Sequence, residues 1–135
     1  MNATERLKLE KSELIKKYAE RNNGFAMYQM LSTMIPYFAL FYFAVESLSV
    51  SYWLTAGLVF LLILWIMRVF MMMHDAGHGC LFVTPRQNSI AGFIMGVMCG
   101  VPEYVWSKHH AYHHATNGNW NKYRGPLAVL SSEEY

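Results

Sequence analysis

Apolar residues are concentrated in two long stretches of the chain. Residues 22–45 carry no formally charged side chain, and neither do residues 53–67. A run of about 20 apolar residues is long enough to cross a hydrocarbon core of about 30 Å. The pattern therefore predicts two membrane-spanning helices, at about residues 25–45 and 52–73, joined by a short polar link at 46–51.

Two further segments carry apolar residues without the length or purity of a span. Residues 3–21 mix Leu and Ile with Lys and Glu, a pattern typical of a helix on the membrane surface or of a solvated, mobile helix. Residues 89–101 are apolar but too few to span, which favours an interfacial or re-entrant helix. The predicted fold class is all-α and integral membrane: an N-terminal surface helix, a two-helix transmembrane hairpin, an interfacial or re-entrant helix, and cytoplasmic histidine-bearing helices.

Composition and charge support a membrane class and indicate an orientation. The 135-residue chain is 54% hydrophobic and only 15% charged, which is unusual for a small soluble protein, and its net charge of +2 is too small to predict nucleic-acid binding. Six Lys or Arg lie within residues 1–21 and none within 22–67. Because cytoplasmic flanks collect Lys and Arg, we place both ends of the hairpin in the cytoplasm. Cys80 and Cys99 then lie in a reducing compartment and are expected to be buried thiols.

All six histidines of the chain fall in two groups beyond the second apolar stretch. Residues three or four apart share one face of a helix, as do His74 with His78 and His110 with His113 and His114. Clustered imidazoles repel one another when protonated and leave nitrogens unpaired when buried and neutral, and a metal ion relieves both problems. The pattern predicts a metal site at the membrane rim, with ligands that suit iron, zinc or copper.

Four other side chains near these groups are candidates for supporting roles. His109 points away from the face of its neighbours and is expected to support the site or to face solvent. Asp75 is placed either to orient a ligand histidine or to cap the following turn. Tyr104 and Trp106 are candidates for the lining of a substrate channel, with anchoring at the membrane interface as the alternative.

The two histidine groups resemble the histidine boxes of a known family. The segments H-D-A-G-H-G at 74–79 and W-S-K-H-H-A-Y-H-H-A-T at 106–116 resemble the first and second boxes, H-x-x-x-H and H-x-x-H-H, of the membrane fatty acid desaturases. The separation of the boxes and the preceding hairpin also fit, and the resemblance covers roughly residues 27–130, nearest to acyl-lipid desaturases. The zinc protease helix H-E-x-x-H is a poor match, because Asp75 replaces its Glu and the second group has no role there.

The resemblance implies an enzyme of lipid metabolism that inserts a double bond into a fatty acyl chain. It implies a non-haem di-iron centre, O2 as co-substrate, and electrons from a ferredoxin or a cytochrome b5-type donor. A fatty acyl lipid is the implied substrate, and the membrane is the implied setting. The implied iron ligands are the five histidines of the boxes, namely His74, His78, His110, His113 and His114.

One element of the family pattern does not occur in this chain. The third box, another H-x-x-H-H after a further pair of spans, is missing. We therefore expect an N-terminal fragment or truncated gene product that is inactive alone, with a cytoplasmic segment at 1–22 and a partial desaturase domain at 23–135. Two alternatives stay open: a related histidine-box hydroxylase acting on alkanes, sterols or carotenoids, and a non-catalytic membrane fragment that binds metal or a partner.

Overall fold

The computed structural model describes residues 2–18, 20–117, 119 and 122. Every regular element in this part of the chain is helical: α1 (Ala3–Tyr18), α2 (Asn23–Glu46), a 3₁₀ turn (Ser47–Ser49), α3 (Tyr52–Gly77), α4 (Pro85–Cys99) and α5 (Glu103–Thr116). The predicted all-α fold class is confirmed. The end of the predicted domain 23–135, past Lys122, lies outside the described residues.

Two helices are long and apolar enough to cross a membrane. They are Asn23–Ser49, which comprises α2 and the 3₁₀ turn, and α3 at Tyr52–Gly77. The predicted pair of long apolar helices is confirmed. Helix α3 continues past the predicted end at 73, so that it includes His74 and ends immediately before His78. Helices α4 and α5 together form a third apolar unit that bends by 103° at their junction, as a broken span or a re-entrant loop does.

A polar contact joins the middle of the α2–α3 hairpin. Pro36 removes a backbone donor from α2, and one turn earlier the carbonyl oxygen of Thr33 accepts a hydrogen bond from Trp65 Nε1 at 2.8 Å. The hydroxyl of Thr33, which is fully buried, accepts from Arg68 Nε at 2.8 Å. Arg68, the only Lys or Arg of α2 and α3, is therefore held against α2 through its guanidinium.

We expect Thr33→Val to destabilise the hairpin by about 1–2 kcal/mol, because valine keeps the shape of the buried side chain but removes the acceptor of Arg68. The free energy of unfolding in detergent and denaturant mixtures measures this effect. Ser32→Ala is the matched control, since its hydroxyl donates only within α2, to the carbonyl of Gln29. Equal losses in the two variants would contradict a stabilising contact between the helices.

Helix α4 folds back on α3 through a short, well-bonded loop. The buried side chain of Asn88 accepts from the backbone N–H of Phe82 at 2.8 Å and donates to the carbonyls of Phe82 and Thr84. Thr84 and Gln87 form a capping box that begins α4. Together these bonds return the chain so that α3 and α4 pack side by side.

The core lies between α3 and α4, with contributions from α2 and the connecting loop. Its fully buried side chains include Val69, Met73 and Met95. The expectation of two buried thiols is wrong at Cys80, which is exposed in the loop beyond α3, next to Gly79 with its positive φ, and Cys99 is half-buried. Helix α1 packs against none of the other described helices, and its apolar Leu7, Leu14 and Ile15 are exposed.

Candidate metal site

Four imidazoles from two helices converge where the end of α3 meets α5. The residues are His74 in the last turn of α3, His78 at its C-cap, and His110 and His114 one turn apart in α5. Each offers a ring nitrogen, and these four atoms lie within 4.8 Å of one another. The convergence predicted from the two spacings is therefore present in the fold.

The distances between these nitrogens suit a single bound metal ion. His110 Nε2 lies 3.0 Å from His74 Nε2 and 3.0 Å from His114 Nε2. Two nitrogens bound at right angles to an ion, at about 2.1 Å each, are about 3.0 Å apart. An all-imidazole donor set of this kind suits iron, zinc or copper, so the residues fit a metal.

The two other histidines of α5 differ in position from this group. His113 is half-buried beside it, with its ring 5.8 Å from that of His110 and 5.6 Å from that of His114. It does not belong to the four residues whose nitrogens converge, and its role as a ligand stays a prediction. His109 is exposed, the second of the two positions expected for it, and its supporting role stays a prediction.

The predicted supporting residues are not all near the site. Asp75 Oδ1 lies 3.1 Å from His74 Nδ1, and Trp106 stacks on His110 with ring centroids 4.5 Å apart and planes at 17°. Trp106 also meets the rings of His74 and Phe70 edge-on, so it lies in the α3–α5 interface. Tyr104 is 72% exposed and is not brought to the histidines.

Sequence reasoning did not identify the contact that brings the two helices together. A Cβ added to Gly77, between the two histidines of α3, would overlap the hydroxyl of Ser107 in α5. The Ser107 hydroxyl donates in turn to Glu103 Oε1 at 2.7 Å. Two features of the sequence could have indicated this contact: Gly77 inside the first box, and Glu103 and Ser107, which are four residues apart and precede the second box.

Burial and mutual repulsion favour the neutral form of two imidazoles in this cluster, those of His78 and His110. Burial, and then the charges of His74, His114 and the other cluster histidines, lower the pKa of His110 from 6.5 to about 4. The pKa of His78 is also lowered, first by burial and then by His74 and His114, against a small opposing effect of Asp75. Near pH 7 both rings are therefore neutral, the form that binds metal ions.

We expect the metal-free chain to lose stability as the pH falls from 6.5 to about 4. The pKa of His110 is lower in the folded state, so the unfolded chain takes up the proton first, and the stability present above pH 6.5 is lost through this window. Thermal unfolding in the presence of a chelator, at steps between pH 7 and pH 4, measures the slope. His110→Asn should flatten it, whereas His109→Asn, at an exposed position, should not. An unchanged slope in His110→Asn would contradict the prediction.

Comparison with known proteins places this site in a family. The family model described as "Fatty acid desaturase" matches residues 50–127, which include both histidine groups. A fatty acid desaturase of Bacillus subtilis (strain 168) is 36% identical over 119 residues, covering 87% of this chain and 34% of that protein. No solved structure shows significant similarity to the chain.

Plant relatives match a shorter part of the chain. A chloroplastic temperature-sensitive sn-2 acyl-lipid omega-3 desaturase (ferredoxin) of Arabidopsis thaliana is 35% identical over 68 residues, 50% of this chain and 14% of that protein. An acyl-lipid omega-3 desaturase (cytochrome b5) of the endoplasmic reticulum of the same plant is 34% identical over 68 residues, 50% of this chain and 16% of that protein. The chain thus spans about a third of the bacterial relative and a smaller share of the plant ones. With its fold, its converging histidines and a family match over more than half of its length, the chain belongs to the fatty acid desaturase family.

Proposed function

We propose that this chain supplies part of the di-iron site of a membrane desaturase that inserts a double bond into the acyl chain of a lipid, using O2. The observation that carries the proposal is the convergence of four imidazoles, with nitrogens within 4.8 Å, at the end of an apolar helix. At that position, a lipid tail can approach from the bilayer while the metal and its electron donor stay near water.

The residues that would hold iron are the box histidines. His74, His78, His110 and His114 form the converging group, and His113 is the further ligand that the second box implies. When bound, a non-haem di-iron centre supplies the activation of O2 that removes two hydrogens from an unactivated acyl chain. Per turnover, two C–H bonds break, one C=C bond forms, and O2 takes up these two hydrogens, two electrons from the donor and two protons, leaving as two waters.

The side chains around the histidines orient them and keep them ready to bind. A neutral His74 that donates Nδ1–H to Asp75 presents an unprotonated Nε2 to the metal. Trp106, stacked on His110, restricts rotation of that ring. Because the pKa values of His78 and His110 are lowered, these ligands do not have to lose a proton at neutral pH.

The proposal also includes the orientation of the chain in the membrane and the kind of electron donor. The Lys and Arg residues of 1–21 and their absence from 22–67 support a cytoplasmic N-terminus and cytoplasmic histidine boxes. The names of the plant relatives include a ferredoxin in one case and a cytochrome b5 in another. We propose a donor of one of these two kinds, which would approach the site from the cytoplasm.

We further propose that these 135 residues do not desaturate lipids by themselves. Two irons need more protein donors than the five box histidines offer, so the ligand set must be completed by other residues. The activity is therefore proposed for a protein of the length of its relatives, of which this chain matches about a third in the bacterial case.

Expression of the complete protein in a host without desaturases, followed by gas chromatography of the acyl chains, tests the proposal. New unsaturated chains are expected with the complete protein, and none with the present chain alone or with His74, His110 and His113 all replaced by alanine. Hydroxylated products would support the alternative reaction, and unsaturated products from the triple variant would refute the site assignment.

A further inference from the structure

The first and second histidine boxes are held together by the side chain of Ser107, which is not a proposed metal ligand. Gly77 lies between His74 and His78, and its missing side chain leaves a hollow on the surface of α3. The hydroxyl of Ser107 fills this hollow, since a Cβ on Gly77 would overlap it, and Ser107 Cβ lies 3.5 Å from the same point. Because His110 follows Ser107 by three residues on α5, this contact lies directly beside the converging nitrogens.

Glu103 fixes the hydroxyl that fills this hollow. Its Oε1 accepts from Ser107 Oγ at 2.7 Å, and Glu103 is the acidic residue of the first turn of α5, where a negative charge stabilises the helix. The stem of Glu103 is packed on α4: a Cβ added at Gly96 would lie 2.9 Å from Glu103 Cβ, and one at Gly92 would lie 3.1 Å from its Cγ. The Glu103 side chain therefore contacts both α4 and Ser107, the residue that fixes the position of α5 along α3.

We propose that Glu103 and Ser107 are positioning residues that set the register of α5 against α3 and thereby the metal affinity of the site. The proposal rests on the proposed function of the histidines as metal ligands. One residue of slip moves a helix by 1.5 Å and turns it by about 100°, and a metal site tolerates displacements of only about 0.5 Å. Keeping His110 Nε2 at 3.0 Å from His74 Nε2 therefore requires a fixed contact between the helices.

Titration of the full chain with Co²⁺, after treatment with a chelator, tests the proposal. Ser107→Ala and Glu103→Ala should each weaken Co²⁺ binding about tenfold, as the loss of residues that orient ligands does. Glu103→Gln keeps an oxygen that accepts from Ser107 and should stay within about twofold of the wild type. Ser89→Ala, at an exposed position of α4, is the matched control and should have no effect.

A change in the sign of the Ser107→Ala effect distinguishes a positioning role from a general loss of structure. Gly77→Ala alone should weaken Co²⁺ binding about tenfold, because its Cβ overlaps the Ser107 hydroxyl that Glu103 holds. In the Gly77→Ala background, Ser107→Ala should strengthen binding, because the contacts that remain are ordinary ones, with Ser107 Cβ at 3.5 Å and Glu103 Oε1 at 3.7 Å. The same reversal is expected in the melting temperature of the metal-free chain.

The outcomes distinguish the two proposals. If Ser107→Ala and Glu103→Ala bind Co²⁺ as the wild type does, or if the effects of Gly77→Ala and Ser107→Ala simply add, the positioning role is refuted. If the wild type binds no Co²⁺, or His110→Ala binds it equally well, the metal site itself is refuted. In that case, the reversal in the melting temperature still decides whether Ser107 registers the two helices.

Discussion

On the function proposed above, His110→Ala should remove iron from the complete protein and lower its desaturase activity by more than about 100-fold. His110 Nε2 is the central nitrogen of the cluster, 3.0 Å from the Nε2 atoms of both His74 and His114. Residues that merely orient a metal ligand already account for about 10- to 100-fold in affinity or activity, so a central ligand should account for more. Iron content per protein and unsaturated product per cell measure the two effects.

His109→Ala is the control for this prediction. The residue is the immediate neighbour of His110, has the same side chain, and does not belong to the group whose nitrogens converge. Iron content and activity should both stay near those of the wild type. Iron loss on replacing His109, or full iron content without His110, would mean that the converging nitrogens are not the metal site.

Gly96→Ala should destabilise the fold by about 2–3 kcal/mol, the second large effect. A Cβ at this position would lie 2.8 Å from the carbonyl oxygen of Val101 and 2.9 Å from Glu103 Cβ. The backbone cannot move aside easily, because the N–H of Val101 donates to the Gly96 carbonyl at 2.8 Å. Overpacking of this kind typically costs 1–3 kcal/mol, and it would also push α5 away from α3. Unfolding in mixed micelles measures the loss, and metal affinity should fall with it.

Gly57→Ala is the matched substitution in open space. A Cβ there meets no atom within 4 Å, and the residue lies inside helix α3. Alanine is the better helix former by about 1 kcal/mol, so this variant should be as stable as the wild type or slightly more so. Similar losses at Gly57 and Gly96 would show that the close approach of α4 to α5 is not what requires glycine.

Much of the fold follows from the linear pattern of residues. Uncharged stretches of the right length predict the two long helices, because a helix satisfies all backbone hydrogen bonds of a membrane segment within the segment itself. The spacings of His74 with His78 and of His110 with His114 place each pair on one face, because a helix has 3.6 residues per turn. Local periodicity and residue type therefore predict a metal site, and the resemblance of the two groups to histidine boxes implies its chemistry.

The geometry of the histidine site depends on contacts between helices, which the periodicity within one helix does not predict. From the sequence alone, Asp75 had two possible roles, and Tyr104 and Trp106 were equal candidates for the channel lining. In the fold, Asp75 lies beside His74 and Trp106 stacks on His110, whereas Tyr104 is exposed. The positions of Tyr104 and Trp106 depend on how α4 folds back on α3 and where α5 begins, and both are set by contacts between residues far apart in sequence.

The sequence by itself determined that this chain belongs to the fatty acid desaturase family and predicted an all-helical fold, with two helices apolar enough to span a membrane and histidines grouped on helix faces. Only the tertiary structure decided which histidines converge, and that Ser107 fits the hollow over Gly77 while Glu103 packs on Gly96. The physical reason is range: hydropathy and helix periodicity act within one element, whereas the distance between two ligand nitrogens depends on close packing between helices.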